Sequence, residues 1–247
     1  MNDSHKNAII LAAGLGNRIR PLTDDRPKCL VELLGKPILV RMFENLATVG
    51  VEDATIVCGY LADVLRSTLG AECCGIELQY IINDIYAETN SMYSLWMARK
   101  RLADGGFVIE GDAVCGPGFF RHLAEKGTKK AYWAGKQYHG EMDGCVLTET
   151  GKDMRIVKQE IERNPTPGEK PHQFKSTGIL SLSSDYGKAL AIWLDDDVAA
   201  GNVNIYHDLV IGKHLDEEPI HIHDIGPEPW FEVDTVDDLA MAEKLFR

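Results

Sequence analysis

Small residues and cations suited to holding a polyphosphate are concentrated near the start of this 247-residue sequence. The run Leu11-Ala-Ala-Gly-Leu-Gly-Asn-Arg-Ile-Arg-Pro21 follows an apolar stretch. Glycine there permits close approach of a phosphate to the backbone and dihedrals closed to other residues. Arg18, Arg20, Arg26 and Lys28 then place four cations within eleven residues. Pro21 and Pro27 stiffen the loop that carries them, which a solvated charge run would not require. A dinucleotide-binding fold would have a third glycine where Ile19 stands, and the two prolines interrupt the helix it needs. Two strand-like segments end in carboxylates: Phe107-Val-Ile-Glu-Gly-Asp112 and Trp230-Phe-Glu-Val-Asp234.

Such groups need a scaffold that gathers them on one side. Asn7 to Ala13 reads as a buried strand, and Leu39, Met42, Phe43, Leu46 and Val49 fall on one helical face. Ala54 to Tyr60 reads as a strand, Leu61 to Leu69 as a short helix and Glu77 to Ile82 as a strand. A helix capped by Asn90 or Ser91 then runs through Leu102, followed by a strand from Phe107 to Glu110. This alternation predicts an α/β, Rossmann-like fold with a mostly parallel, mixed central sheet flanked by helices. Ligands in such sheets lie beyond the carboxyl ends of the strands. The loop after Ala13, the segment after Ile82 and Gly111-Asp112 share that edge.

Beyond Ala131 the pattern turns to a small β-rich insertion: strands Tyr132 to Gly135, Gly144 to Thr148 and Arg155 to Ile161, with a turn at Thr150-Gly151-Lys152. Residues 164–171 are rich in Pro and Gly and read as a mobile loop. Phe174 to Ser183 is expected as a strand, Asp185 to Leu194 and Asn204 to Leu215 as helices. Strands at Ile220 to Asp224 and Phe231 to Asp234 and a helix from Val236 to Phe246 complete a single domain, 1–247.

The 38 Asp plus Glu against 26 Lys plus Arg give a net charge of −12, which argues against nucleic acid as a partner. Six cysteines lack the paired spacings of a zinc site, and the start Met-Asn-Asp-Ser-His-Lys has no apolar signal region. A reduced, cytoplasmic setting is expected. No apolar run reaches membrane-spanning length, so no membrane partner is expected. His221-Ile-His223 offers two ligands without a third, and zinc is rejected.

Leu11 to Thr23, Arg26-Pro-Lys-Cys-Leu-Val-Glu and Gly35-Lys-Pro-Ile-Leu together resemble the signature of the sugar-nucleotide pyrophosphorylase superfamily of nucleotidyltransferases. The resemblance implies that Leu11, Ala12, Ala13, Gly14, Leu15, Gly16 and Asn17 wrap a nucleotide. It also implies that Arg18 neutralises the leaving pyrophosphate and Lys28 bridges toward the α-phosphate and the acceptor. Asp112 and Asp234 resemble the family's two metal-binding aspartates, and Mg²⁺, which demands oxygen ligands, is the implied cofactor. Taken alone, Asp112 also reads as a strand-end residue and Asp234 as the cap of the helix from Val236. Glu110 departs from the family's more usual Asp and is read, beside Gly111, as a supporting or turn residue at the nucleotide.

The stretch Asn83 to Leu95 resembles the phosphocholine cytidylyltransferase branch, which includes enzymes acting on 2-aminoethylphosphonate. It implies CTP as the nucleotide and a small phosphate- or phosphonate-bearing acceptor. On this basis residues 1–130 are the nucleotide-binding part, and 131–247 the acceptor-binding part with the second metal ligand. Asn90 and Ser91 contact base or ribose, or serve only as a helix cap. A quaternary ammonium on the acceptor would want an aromatic face and a carboxylate, which Trp230 and Glu232 offer on one strand face. Trp133, Tyr138 and Trp193 read as core. Lys175 is a candidate for the acceptor phosphate or phosphonate, or is merely a solvated cation. Other readings are a sugar-phosphate acceptor and a non-catalytic nucleotide-sensing subunit, which would be expected to lose Lys28 or an aspartate. An edge strand after residue 131 either pairs or stays free, so a monomer or a homodimer is compatible with the sequence.

Overall fold

The computed structural model describes residues 5–139, 142–162 and 168–247. The loop expected at 164–171 lies partly outside the described residues.

The first half alternates as its apolar periodicity demands. Strand β1 (Asn7–Ala12) leads through the glycine loop to a small hairpin, β2 (Glu32–Leu33) and β3 (Lys36–Pro37), and then helix α1 (Ile38–Thr48). Next come β4 (Asp53–Cys58), α2 (Ala62–Leu69), β5 (Glu72–Cys73) and β6 (Ile76–Ile82). Helices α3 (Ser91–Met97) and α4 (Arg99–Leu102) precede β7 (Gly106–Glu110), β8 (Ala113–Cys115) and α5 (Phe119–Ala124). The second half contributes β9 (Tyr132–His139), β10 (Gly144–Thr150), β11 (Arg155–Glu162) and β12 (Glu169–Leu182). It closes with α6 (Ser184–Ala199), α7 (His207–Lys213), β13 (His221–Asp224), β14 (Trp230–Glu232) and α8 (Val236–Leu245).

Among the described residues ten strands form one mixed sheet in the order β10-β11-β13-β9-β12-β7-β1-β4-β6-β5. The β7-β1-β4-β6 portion is parallel, and β12 joins it antiparallel through β7, Ile179 opposite Ile109. Leu39, Met42, Phe43 and Leu46 of α1 pack with Phe119, Phe120 and Leu123 of α5 on one face. Met92 and Leu95 of α3 join Tyr186, Leu190 and Leu194 of α6 on the other. Both faces are therefore covered, as a parallel sheet requires. Trp133, Tyr138 and Trp193 are core, as expected. Among the described residues no helix is long and apolar enough to cross a membrane.

Several elements differ from expectation, among them the following three. The helix expected from 91 to 102 breaks at Ala98, whose N–H turns to the Leu95 and Trp96 carbonyls, and Arg99 Nη1 also donates to the Trp96 carbonyl at 3.1 Å. The helix expected from Asn204 starts only at His207: the carbonyls of Val203 and Ile205 accept from Asn90 N and Met92 N, holding that segment extended to serve the start of α3. Strand β12 begins at Glu169, not Phe174, with its register shifting between Glu169 and Phe174 around Pro171 and left-handed His172.

Neither histidine of the His221-x-His223 pair faces an open site. His221 Nδ1 is 3.2 Å from the Asp153 carbonyl oxygen, and His223 is 7% exposed with an Nε2 that makes no hydrogen bond among the described residues. Burial, aided by Lys126 and His122, holds the His223 imidazole down to about 4. Unfolded, this group binds its proton near pH 6.5, so its contribution to stability is complete above that pH and is lost as pH falls toward 4. The loss should reach about 2–3 kcal/mol. Denaturant midpoints measured from pH 7 to 4 should fall less steeply in His223→Gln than in the wild type; identical slopes would remove the assignment.

Candidate active site

The glycine loop is built as a rigid shelf. Gly16 adopts φ +63°, where a Cβ would lie 3.0 Å from Thr23 Cγ2 and 3.2 Å from Lys28 Cβ, so only glycine fits. Thr23 Oγ1 donates to the Gly16 carbonyl at 2.8 Å, and Tyr60 OH donates to the Thr23 carbonyl at 2.9 Å. Ile19, which stands where a dinucleotide fold would place glycine, is fully buried with Val31, Leu33, Val114, Val233 and Ala242. This small third core ties the loop to β8, β14 and α8, and so to the residues that flank both aspartates.

The two carboxylates are aligned by backbone pairing. Strand β14 runs antiparallel to β8 with Glu232 opposite Ala113, and Val233 N donates to the Asp112 carbonyl at 3.2 Å. Thr235, not Asp234, caps α8: its side chain accepts from Asp238 N in a reciprocal capping box. Asp234 is thereby left to face the loop. Lys28 Nζ lies between the two aspartates, donating to Asp112 Oδ2 at 2.6 Å and also to Asp234 Oδ1. Arg18 Nη2 approaches Asp234 Oδ1 at 2.8 Å.

Burial would lower the Lys28 pKa, but Asp112 and Asp234 outweigh it and raise it. Burial pushes Asp234 up, yet Lys28 and Arg18 hold it below the ordinary carboxylate range. Asp112 Oδ1 is buried without a hydrogen-bond partner among the described residues. An all-oxygen pair with one orphaned lone-pair site fits a hard divalent cation such as Mg²⁺.

These groups open onto one cavity of about 440 Å³ at the carboxyl end of the parallel strands. Leu11, Ala12, Ala13, Gly14, Gly16, Asn17 and Arg18 line it together with Lys28, Asn90, Ser91, Glu110, Gly111 and Asp112. Lys175, Glu232 and Asp234 line it as well. Leu15, grouped above with the nucleotide-binding residues, stands outside this lining. Trp230 does too: it is 8% exposed, with Nε1 donating to the Thr177 carbonyl at 3.1 Å. Asn90 is the cap of α3, its Oδ1 accepting from Ser91 N at 2.8 Å. The Ser91 hydroxyl accepts from His207 N at 3.2 Å and lies 3.0 Å from His207 Nδ1.

Glu110 is not a turn residue; it ends β7 inside the cavity. Burial first, then Asp112, Asp208 and Glu232, raise its pKa well above the usual carboxylate value. Glu232 is pushed up to about 7 by burial, with Lys175 pulling down and Asp112 and Asp234 pushing up. Lys175 is raised as well, because the Glu232 carboxylate outweighs its burial. His207 and Asp208 escaped the sequence reading, although ligating atoms of Glu110, His207 and Asp208 lie within 4.8 Å of one another. Tyr206-His207-Asp208 carries no local signal beyond that of a helix start.

A family model described as nucleotidyl transferase matches residues 7–163. Choline-phosphate cytidylyltransferase from Streptococcus pneumoniae is 27% identical over 244 residues, covering 97% of this chain and 98% of that protein. 2-Aminoethylphosphonate cytidylyltransferase from Lancefieldella rimae is 29% identical over 248 residues, covering 97% and 92%. The solved structure of CTP:phosphocholine cytidylyltransferase from Streptococcus pneumoniae superposes with a TM-score of 0.78 at 24% identity, covering 98% of this chain and 100% of that one. With well over half its length matched by the family model and its fold shared from end to end, this chain belongs to the nucleotidyl transferase family.

Proposed function

We propose that the protein is a Mg²⁺-dependent cytidylyltransferase that joins CMP from CTP to a small phosphorylated or phosphonylated acceptor, phosphocholine or 2-aminoethylphosphonate, and releases pyrophosphate. Relatives that span nearly the whole chain support the nucleotide and the acceptor class. The observation that carries the reading is the Lys28 ammonium held between Asp112 and Asp234 at the edge of the glycine shelf.

Asp112 and Asp234 would hold the metal. When bound, Mg²⁺ supplies electrostatic stabilisation of the α-phosphate and its attacking oxygen. The chain's own residues do the rest by positioning and charge. Backbone of the Ala13-Gly14 and Gly16-Asn17 stretch lies along the triphosphate, with the Gly14 Cα side open to space. Lys28, released from the aspartates, turns its ammonium to the α-phosphate as negative charge builds there. Arg18, whose side chain is 69% exposed at the cavity mouth, meets the departing pyrophosphate. The acceptor oxyanion attacks in line, so no protein nucleophile is needed.

A pyrophosphate-release assay crossing four nucleoside triphosphates with phosphate, phosphonate and sugar-phosphate acceptors tests this. With its best phosphate or phosphonate acceptor, CTP should exceed each of the other three nucleotides by at least about tenfold, a difference of roughly 1.4 kcal/mol in transition-state stabilisation. Nucleotide binding with no pyrophosphate from any pair would overturn the proposal in favour of a sensing subunit.

A further inference from the structure

The aromatic face and carboxylate that the sequence offers to a quaternary ammonium, Trp230 and Glu232, are both engaged by the chain's own lysine. Lys175 is 6% exposed, and its Nζ donates to Glu232 Oε2 at 3.0 Å, to Oε1 at 3.3 Å and to the Ser176 carbonyl at 3.1 Å. The same Nζ stands 5.6 Å from the centroid of the Trp230 ring. One aromatic face and one carboxylate are the pair that recognises a methylated ammonium, and Lys175 uses both. It is also confined from the β10 side: a Cβ on Gly144 would lie 3.0 Å from Nζ, so the chain start of that strand closes over it.

Further carboxylates line the cavity near this pair. Glu110 and Asp208 both line it, beside the Ser91 and Ser94 hydroxyls. Asp208 is 8% exposed and its Oδ1 makes no hydrogen bond among the described residues, with His207 Nε2 3.1 Å away. A primary ammonium has three N–H groups to give such acceptors, whereas a trimethylammonium has none and needs the aromatic face. A carboxylate on the acceptor would instead meet Glu110, Asp208 and Glu232.

We propose that Lys175, by taking the Trp230–Glu232 slot, restricts the acceptor to phosphates and phosphonates whose far end is a primary ammonium, with Glu110 and Asp208 receiving its N–H groups. This rests on the cytidylyltransferase reading for the reaction and sharpens its acceptor. It also reassigns Lys175, which the sequence suggested for the acceptor's phosphate or phosphonate, to the opposite end of the acceptor.

The test uses four acceptors that share a phosphate and differ only at nitrogen: phosphoethanolamine, its N-methyl and N,N-dimethyl derivatives, and phosphocholine. With CTP and the wild-type protein, kcat/KM should fall at each methylation and by at least about tenfold across the series. Lys175→Met, which removes the ammonium and shortens the side chain by one atom, should flatten or invert the order. Equal or faster turnover of phosphocholine by the wild type overturns the proposal, and this arm needs no variant to fold. Calorimetric binding of the same four compounds separates the two readings. Binding in the stated order without pyrophosphate release would overturn the proposed reaction and leave the head-group assignment standing. Pyrophosphate release at equal kcat/KM across the series would overturn the assignment alone.

Discussion

Asp112→Asn is expected to lower kcat by at least about a thousandfold while the protein stays folded, because electrostatic groups at a developing phosphoryl charge each contribute several kcal/mol. The shape of the side chain is kept and one oxygen remains, so geometry alone does not account for the loss. Stability should change little. The substitution weakens one arm of the Lys28 bridge, whose side chain is 16% exposed, but Lys28 retains Asp234. It also removes a negative charge that pushes the pKa values of Glu110 and Glu232 upward, which relieves the folded state. A shift within about 1 kcal/mol is expected from these opposing effects, as is common where a site is optimised for function over stability. Pyrophosphate release and a denaturant melt on the same purified variant decide the matter: turnover at the wild-type rate would sink the role given to Asp112.

The largest structural effect is expected at Gly187→Ala. Glycine in a helix interior normally costs about 1 kcal/mol relative to alanine, so the substitution would ordinarily stabilise. In α6 the sign reverses. A Cβ at this position would stand 1.8 Å from the Leu102 carbonyl oxygen and 2.7 Å from its carbon, both backbone atoms at the end of α4. The two helices are pinned there by Ser184 Oγ, which donates to the Ala103 carbonyl at 2.6 Å. Making room means lifting the first turn of α6 and with it Tyr186 and Leu190, both fully buried in the core beneath. A loss of at least about 3 kcal/mol should follow, a large share of a domain's total. Unfolding midpoints for Gly187→Ala at or above those of the wild type would refute this account of the contact.

Much of the architecture could be read from the chain because its signals are local. The apolar spacing of Ile38 to Leu46 and the continuous apolar strands at Ile9 and Ile56 specify the parallel half without reference to anything distant. The elements that shifted were governed by partners elsewhere. Asn204 to Tyr206 would suit a helix, but their backbone is committed to the first turn of α3. Strand β8 is three residues long and is defined by β14, which is remote in sequence. The site divides in the same way. The glycine loop, Lys28, Asp112 and Asp234 announce themselves by residue type and order, and the fold brings them into one cavity. His207 and Asp208 resemble any helix start until the sheet delivers Glu110 beside them. The partner of Lys175 was equally hidden, because its ion pair with Glu232 joins β12 to β14 across 57 positions.

The β8–β14 ribbon also fixes when the site can exist. Cys115 pairs with Trp230, and the carboxylate of Asp234 follows immediately. On a chain growing at about 5–20 residues per second, β8 leaves the ribosome on the order of ten seconds before its partner is made. During that interval the glycine shelf lacks part of its foundation, since Ile19 and Val114 still await Val233 and Ala242. A chain stalled or clipped ahead of Trp230 would keep the loop, Arg18, Lys28 and Asp112, yet would have neither Glu232 nor Asp234. Incomplete translation products should therefore carry most of the recognisable motif and none of the assembled site.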